Sequence, residues 1–142
     1  MTTPQLNLLL VDDDDVATES VLRSLARCDL NPCIVTAEDG LEALAILRGQ
    51  HPERTIDRPY LVLLDLNMPR MNGFEFLENL RADDRLRDTV VFVLTTSDAD
   101  TDRTRAYHEN IAGYMVKSCV GPQFRHLVSL LDVYQQTVRL PG

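Results

Sequence analysis

The chain has 142 residues, of which 44% are hydrophobic, 25% charged and 6% aromatic, with 14 basic against 22 acidic side chains and a net charge of −8. That length suits one compact domain that buries roughly 68–70% of its unfolded surface and needs no disulfide or metal staple. The acidic balance argues against a nucleic-acid or anionic-membrane binder, no apolar run approaches the ~20 residues of a membrane span, and Met1-Thr2-Thr3-Pro4-Gln5 lacks the basic start of a secretory signal. A cytoplasmic protein is expected. Cys28, Cys33 and Cys119 form an odd set without zinc spacing and read as small, at least half-buried residues in a reducing compartment.

In chain order, short apolar runs alternate with amphipathic ones. Leu6 to Val11 is apolar except for Asn7, and a helix follows with Asp14 or Asp15 as cap and a stripe of Val21, Leu22, Leu25 and Cys28. Pro32 to Ala37 is a weaker run, followed by a second stripe of Leu41, Leu44 and Leu47. Gly49 to Pro59 reads as a long polar connection. Tyr60 to Leu64 is wholly apolar, and Asn72 then caps a helix carrying Phe74, Leu77 and Leu80. Val90 to Leu94 is apolar, and Ser97-x-x-Asp100 predicts a capping box for a helix running to about Asn110. Tyr114 to Val116 is short, and Phe124, Leu127, Val128, Leu131, Tyr134 and Val138 predict a last helix of four turns. Five continuous apolar runs in strict alternation with five helical patterns predict a doubly wound α/β domain with a parallel sheet buried on both faces.

Ligands of such sheets bind at the carboxyl ends of the strands. Asp12 to Asp15 follow Val11, Asp65 follows Leu64, Thr95 and Thr96 follow Leu94, and Lys117 follows Val116. Lys117 is the only lysine beside thirteen arginines, and a compact ammonium suits a phosphoryl oxygen or a carboxylate in a tight site better than a planar fork does. Clustered carboxylates repel, and a lysine with a hard divalent cation such as Mg²⁺ relieves them. An aspartate facing both is a nucleophile toward phosphorus, with the Thr95 hydroxyl available to a phosphoryl oxygen.

With those residues in place, the chain resembles the receiver domains of two-component response regulators over nearly its whole length. Leu9-Leu10-Val11-Asp12-Asp13 resembles their first strand and acidic pair, and Asp65-Leu66-Asn67-Met68-Pro69-Arg70-Met71-Asn72-Gly73 their phosphoacceptor loop. Val93-Leu94-Thr95-Thr96 resembles the fourth strand with its switch hydroxyl, and Gly113-Tyr114-Met115-Val116-Lys117 the fifth strand with its switch aromatic and lysine. The resemblance implies a flavodoxin-like fold with strand order 2-1-3-4-5 and one receiver domain over 1–142, core about 5–137, and with only a few residues after the fifth helical pattern no output domain is expected. It implies that Asp65 accepts a phosphoryl group from a histidine kinase. Asp13 would bind Mg²⁺ directly, Asp12 mainly through water, and Asp65 and the backbone carbonyl of Asn67 would complete the set. Lys117 and Thr95 would hold the phosphoryl group, and Tyr114 would turn inward after Thr95. The protein would catalyse only its own phosphorylation and dephosphorylation. The family's Lys-Pro is here Lys117-Ser118, where a cis bond would cost ~2.5–4 kcal/mol, so a different or strained turn is expected. The Lys-Ser pair, the Gly49 to Pro59 connection and the chain end Val138-Arg139-Leu140-Pro141 resemble stand-alone regulators paired with bacterial phytochromes, which makes such a phytochrome the suggested kinase.

Output is then expected through protein contact. The fourth helix is poor in large apolar residues and could shift cheaply. On the fifth, Leu130 and Val133 form a second apolar line continued by Tyr134 and Val138, the expected interface of a homodimer built from the fourth helix, fifth strand and fifth helix. Three rivals stand beside this reading. Asp12-x-Asp14-x-Val16 also fits the nucleophile motif of haloacid-dehalogenase-like phosphohydrolases, but the only acid after Lys117 is Asp132, inside the fifth helix. Asp98, Asp100, Asp102 and Glu109 have EF-hand spacing, but the obligatory turn glycine is Arg103. A non-phosphorylated pseudo-receiver would lack the acceptor or the lysine, and both are present.

Overall fold

A computed structural model describes residues 6–27 and 32–142. Five strands alternate with five helices: β1 (Asn7–Val11), α1 (Asp15–Ala26), β2 (Cys33–Ala37), α2 (Gly40–Leu47), β3 (Tyr60–Leu64), α3 (Gly73–Ala82), β4 (Val90–Thr95), α4 (Asp100–Tyr107), β5 (Gly113–Val116) and α5 (Arg125–Thr137). Two 3₁₀ turns, Lys117–Cys119 and Pro122–Phe124, join β5 to α5. The sheet is parallel throughout, in the order β2-β1-β3-β4-β5. The doubly wound fold read from the alternation is the one observed.

Alternation along the strands divides the core into two layers. Leu9, Val11, Val62, Leu64, Val91 and Val93 face α2 and α3, meeting Leu44, Ile46, Phe76, Leu77 and Leu80. Leu8, Leu10, Leu61, Leu63, Phe92 and Leu94 face α1 and α5, meeting Val21, Leu25, Leu127 and Leu131. Each side chain of this size taken fully out of water contributes roughly 1.5–3 kcal/mol, so the central strands β1, β3 and β4 carry most of the stabilisation. The edge strands β2 and β5 are only partly covered.

Local chemistry sets the helix starts. The Asp14 side chain accepts from the amides of Val16 and Ala17 and caps α1, and that of Asp39 accepts from Glu42 and caps α2. Asn72 and Glu75 form a reciprocal capping box on α3. The Gly49–Pro59 connection is tied down at its middle and its C-terminal end: the Arg54 guanidinium donates to Thr36 O and Glu42, and Asn7 Nδ2 to the carbonyls of Asp57 and Pro59.

Several expectations are corrected. The α2 stripe is Ala43, Leu44, Ile46 and Leu47; Leu41 lies about 140° around the helix from its centre and is 50% exposed. Ser97 does not cap α4: the helix starts at Asp100 with Ala99 as a cap lacking a side-chain bond, while the Ser97 oxygen accepts from the Ala99 amide at 3.3 Å and its hydroxyl donates to Asp102 at 2.6 Å. The helix also stops at Tyr107, and Asn110 turns into the left-handed region at φ 58°. The last helix is shorter than its apolar stripe, with Phe124 as its N-cap and Val138 as an extended C-cap. Cys33 and Cys119 are exposed rather than half-buried, one at the start of an edge strand and the other in a surface turn; Cys28 lies outside the described residues. The cis peptide bond among the described residues is Arg58–Pro59, so Lys117–Ser118 is trans and Lys117 enters a 3₁₀ turn directly from β5. No helix among the described residues is long and apolar enough to cross a membrane.

Candidate functional site

The sheet delivers the polar residues to one rim. Asp12 follows β1 and stays in the sheet's hydrogen-bonding pattern, its amide donating to Ala37 O at 3.0 Å. Asp65 follows β3 in the same way, its amide donating to Val11 O at 2.9 Å. Two carboxylates on neighbouring strand ends are thus aligned by backbone register before their side chains contribute anything. Asp13 projects from the β1–α1 turn, and ligand atoms of Asp12, Asp13 and Asp65 all lie within 4.8 Å of one another. Asp12 and Asp65 are buried and Asp13 is exposed, so the cluster has a closed floor and an open mouth.

Lys117 enters from the end of β5. Its Nζ donates to Asp12 Oδ2 at 2.8 Å and lies 3.6 Å from Asp65 Oδ2. The other Asp12 oxygen accepts from the Asp14 amide at 2.9 Å, and Asp65 Oδ1 accepts from the Asn67 amide at 3.3 Å. Burial pushes the Asp12 carboxyl above its ordinary range, against the hydrogen bonds from Lys117 and the Asp14 amide. Burial would lower Lys117, but its bond to Asp12 and the charges of Asp12, Asp65 and Asp14 outweigh that, and the ammonium stands above its ordinary value. One cation therefore faces three carboxylates, and the site carries an uncompensated negative charge. Three hard oxygen donors with one open side fit a divalent cation of the Mg²⁺ or Mn²⁺ kind.

Thr95 ends β4 on the same rim and is fully buried, its Oγ1 accepting from the Ser97 amide at 3.4 Å. Ser97 is a junction that sequence reasoning missed. Its carbonyl accepts from the Tyr114 hydroxyl at 3.0 Å, and its own hydroxyl reaches Asp102 in the first turn of α4. Burial pushes the Tyr114 phenol above its ordinary value. The hydroxyl, the aromatic and α4 are thus bonded through one residue. The Ser97-x-x-Asp100 pattern marked the right segment and gave it the wrong partner.

The structure does not bring the rival constellations together. Asp98 and Asp100 pair with Arg103, Asp102 bonds Ser97, and Asp100 to Tyr107 is helix, so the EF-hand spacing is an ordinary acidic helix start. Asp14, which the phosphohydrolase motif needs beside Asp12, is the α1 cap, and Asp132 bonds Gln136 on α5. On the far face Leu130, Val133 and Val138 are exposed, Val133 by 60%, while Tyr134 packs edge-on against Phe92 with centroids 5.3 Å apart. Tyr134 thus belongs largely to the core rather than to the exposed line.

The profile of the response regulator receiver domain matches residues 8–129. The chain is 36% identical to the "Probable methanogenesis regulatory protein FilR2" of Methanothrix harundinacea over 89% of its own length and 81% of the relative's. It is 30% identical to response regulator Rcp1 of Synechocystis sp., covering 99% of this chain and 97% of Rcp1. The Mn²⁺-bound form of Rcp1 superposes with a TM-score of 0.85 at 31% identity, covering 98% of this chain and 100% of that one. The phosphorylated cyanobacterial phytochrome response regulator RcpA superposes with a TM-score of 0.84 at 31% identity, over 96% and 98% of the two chains.

Proposed function

The chain belongs to the response regulator receiver domain family, a family of phosphorylation-dependent signalling proteins, and from that premise we propose that Asp65 is its phosphoacceptor. The observation that carries the reading is the convergence of Asp12, Asp13, Asp65 and Lys117 from the ends of three strands into one cluster. A carboxylate oxygen of Asp65 attacks the phosphorus of a phosphohistidine; the P–O bond forms, the P–N bond breaks, and the departing imidazole takes up a proton. Lys117 and the Thr95 hydroxyl hold phosphoryl oxygens. Asp12, Asp13, Asp65 and the carbonyl of Asn67 hold Mg²⁺, which supplies charge neutralisation at the phosphoryl oxygens. The phosphoryl group, carrying about −1.5 to −2 where the carboxylate carried a single charge, draws Thr95, and its bond to Ser97 passes the shift to Tyr114 and α4.

The partner class is a histidine kinase in the cytoplasm, and the likeness to Rcp1 and RcpA favours a bacterial phytochrome. The domain, core about 5–137, works as one receiver whose output is protein contact. The exposed line of Leu130, Val133 and Val138 favours a homodimer through α4, β5 and α5. Val133→Glu should then yield a monomer by light scattering, and an unchanged mass refutes that interface.

Intact mass after treatment with an acyl phosphate and Mg²⁺ tests the acceptor. Wild type should gain one phosphoryl group and Asp65→Asn none. Stoichiometric labelling of Asp65→Asn refutes the assignment, and donor turnover that survives loss of Asp65 but not of Asp12 favours the phosphohydrolase.

A further inference from the structure

Asp39 is a carboxylate with no exposed surface, outside the acidic cluster. One of its oxygens caps α2 through the Glu42 amide at 2.9 Å. The other is bound by the Arg70 guanidinium, whose side chain is 63% exposed. A buried carboxylate needs such a partner, because an unpaired charge away from water is costly. The cap alone calls for no charge, since asparagine or serine caps a helix as well. The arginine, in turn, sits in the left-handed region at φ 62°. That conformation costs a non-glycine residue about 1–2 kcal/mol and persists only where surrounding contacts hold it.

Arg70 lies in the loop that leaves Asp65 and carries Asn67. The same stretch is fastened twice more: the Gly40 amide donates to Met71 O at 3.0 Å, and the Gly73 amide donates to Leu66 O at 3.0 Å. Gly40 is pressed so closely on Met71 that a Cβ there would lie 2.7 Å from its Cγ. Two residues before Asp39, Ala37 O accepts from the Asp12 amide. The β2–α2 turn thus touches the Asp12 side of the site on one flank and the phosphoacceptor loop on the other.

From this geometry we infer that Arg70 is a positioning residue: its ion pair with Asp39 ties residues 66–72 to the turn that also holds Asp12, and so sets the spacing of the carboxylate and carbonyl ligands. The inference rests on the functional reading above and adds a residue that never touches metal or phosphoryl group. Outer-shell partners of metal ligands are commonly worth about 10–100-fold in affinity or activity.

The test uses the full chain with Arg70→Ala, Asp39→Asn and the double variant. Asparagine keeps the oxygen that caps α2, and the double variant leaves no buried charge unpaired. Mg²⁺ affinity is read by calorimetry, and the phosphorylation rate by intact mass with an acyl phosphate at saturating Mg²⁺. Both should fall about tenfold in all three variants alike, because one interaction is removed each time. Circular dichroism confirms folding at the assay temperature, and Asp39→Asn alone decides the matter if the alanine variants melt. A merely structural pair lowers the melting temperature and leaves affinity and rate of the folded protein at wild-type values; that result, or losses that multiply in the double variant, overturns the inference while the functional reading stands. A wild-type protein that neither binds Mg²⁺ nor gains a phosphoryl group overturns both.

Discussion

Lys117 Nζ is hydrogen-bonded to Asp12 Oδ2 at 2.8 Å and stands 3.6 Å from Asp65 Oδ2, so the chain's single lysine is held by the carboxylate of β1 rather than by that of β3. A metal entering the cluster must share Asp12 with this ammonium and tolerate its charge. Lys117→Ala should therefore bind Mg²⁺ several-fold more tightly, since like charges a few ångströms apart repel. The same variant should be phosphorylated about a hundredfold more slowly, the usual loss when one donor to developing charge is removed. Calorimetry and a mass time course separate the two effects. Weaker Mg²⁺ binding would mean that the lysine organises the ligands instead of competing with the ion.

Asp13 is the exposed member of three carboxylates whose ligand atoms lie within 4.8 Å. Without metal its charge adds to those of Asp12 and Asp65. Two unit charges at that distance interact by about 1 kcal/mol even at the dielectric of water. Asp13→Asn should raise the melting temperature of the metal-free protein by about 3 °C. Mg²⁺ should stabilise the wild type by mass action, and that increment should vanish in the variant. A metal-free variant that melts below wild type would show that Asp13 makes a stabilising contact of its own.

Asp83 provides the pH dependence. The Arg85 amide donates to its carboxylate, Arg48 pairs with it, and together they hold it below the ordinary value of 3.8. A folded value below the unfolded one means the unfolded chain binds the proton more readily. Its contribution is thus present above the ordinary carboxylate range and is lost as pH falls through the lowered folded value. Asp83→Asn keeps an acceptor for Arg85 and removes the charge. Its urea midpoint should lie below wild type at pH 7, and the gap should close toward pH 3. A gap independent of pH would assign the effect to hydrogen bonding alone.

The parts of the site written as strand followed by polar residue were legible from the chain. Asp12, Asp65, Thr95 and Lys117 each terminate a continuous apolar run, and parallel register alone then brings their strand ends to one rim. What stayed hidden depends on which face or partner a side chain selects after folding. Leu41 has the spacing of a stripe with Leu44 and Leu47, but Ala43 and Ile46 join those two on the buried face of α2 and leave Leu41 outside it. Ser97 has the spacing of a cap, but once the chain leaves β4 its oxygen accepts from the Ala99 amide and its hydroxyl donates to Asp102. Asp39 and Arg70 lie far apart in the chain, and no local period links them.

Arg81 was equally invisible, and its loss should be felt throughout the fold. Its guanidinium donates to four backbone carbonyls: Glu109 at 2.7 Å, Arg87 at 2.7 Å, Thr89 at 2.8 Å and Asn110 at 3.1 Å. One side chain at the end of α3 thus joins the approaches to β4 and β5. An ammonium cannot reproduce that fork, so Arg81→Lys should cost about 1.5–3 kcal/mol by urea denaturation. A change under 0.5 kcal/mol, the ordinary range of a surface substitution, would mean that water replaces the guanidinium at those carbonyls.

Two glycines should rank in a definite order. A Cβ on Gly73 would stand 2.6 Å from Asp65 O and 2.7 Å from Leu66 Cα. Both are backbone atoms at the exit of β3, so relief requires moving the peptide that presents the proposed acceptor. A Cβ on Gly113 would stand 2.9 Å from Phe92 Cδ1, a ring atom that can tilt away, and alanine is favoured over glycine in a strand. Gly73→Ala should therefore lower stability by about 1–3 kcal/mol, the usual cost of overpacking. It should also slow labelling of Asp65 at saturating Mg²⁺, because the nucleophile shifts with its peptide. Gly113→Ala should leave labelling unchanged and stability within about 1 kcal/mol of wild type. If Gly113→Ala proves the more damaging, then Phe92, wedged between Gly113 and Tyr134, is the rigid neighbour, and the exit of β3 yields instead.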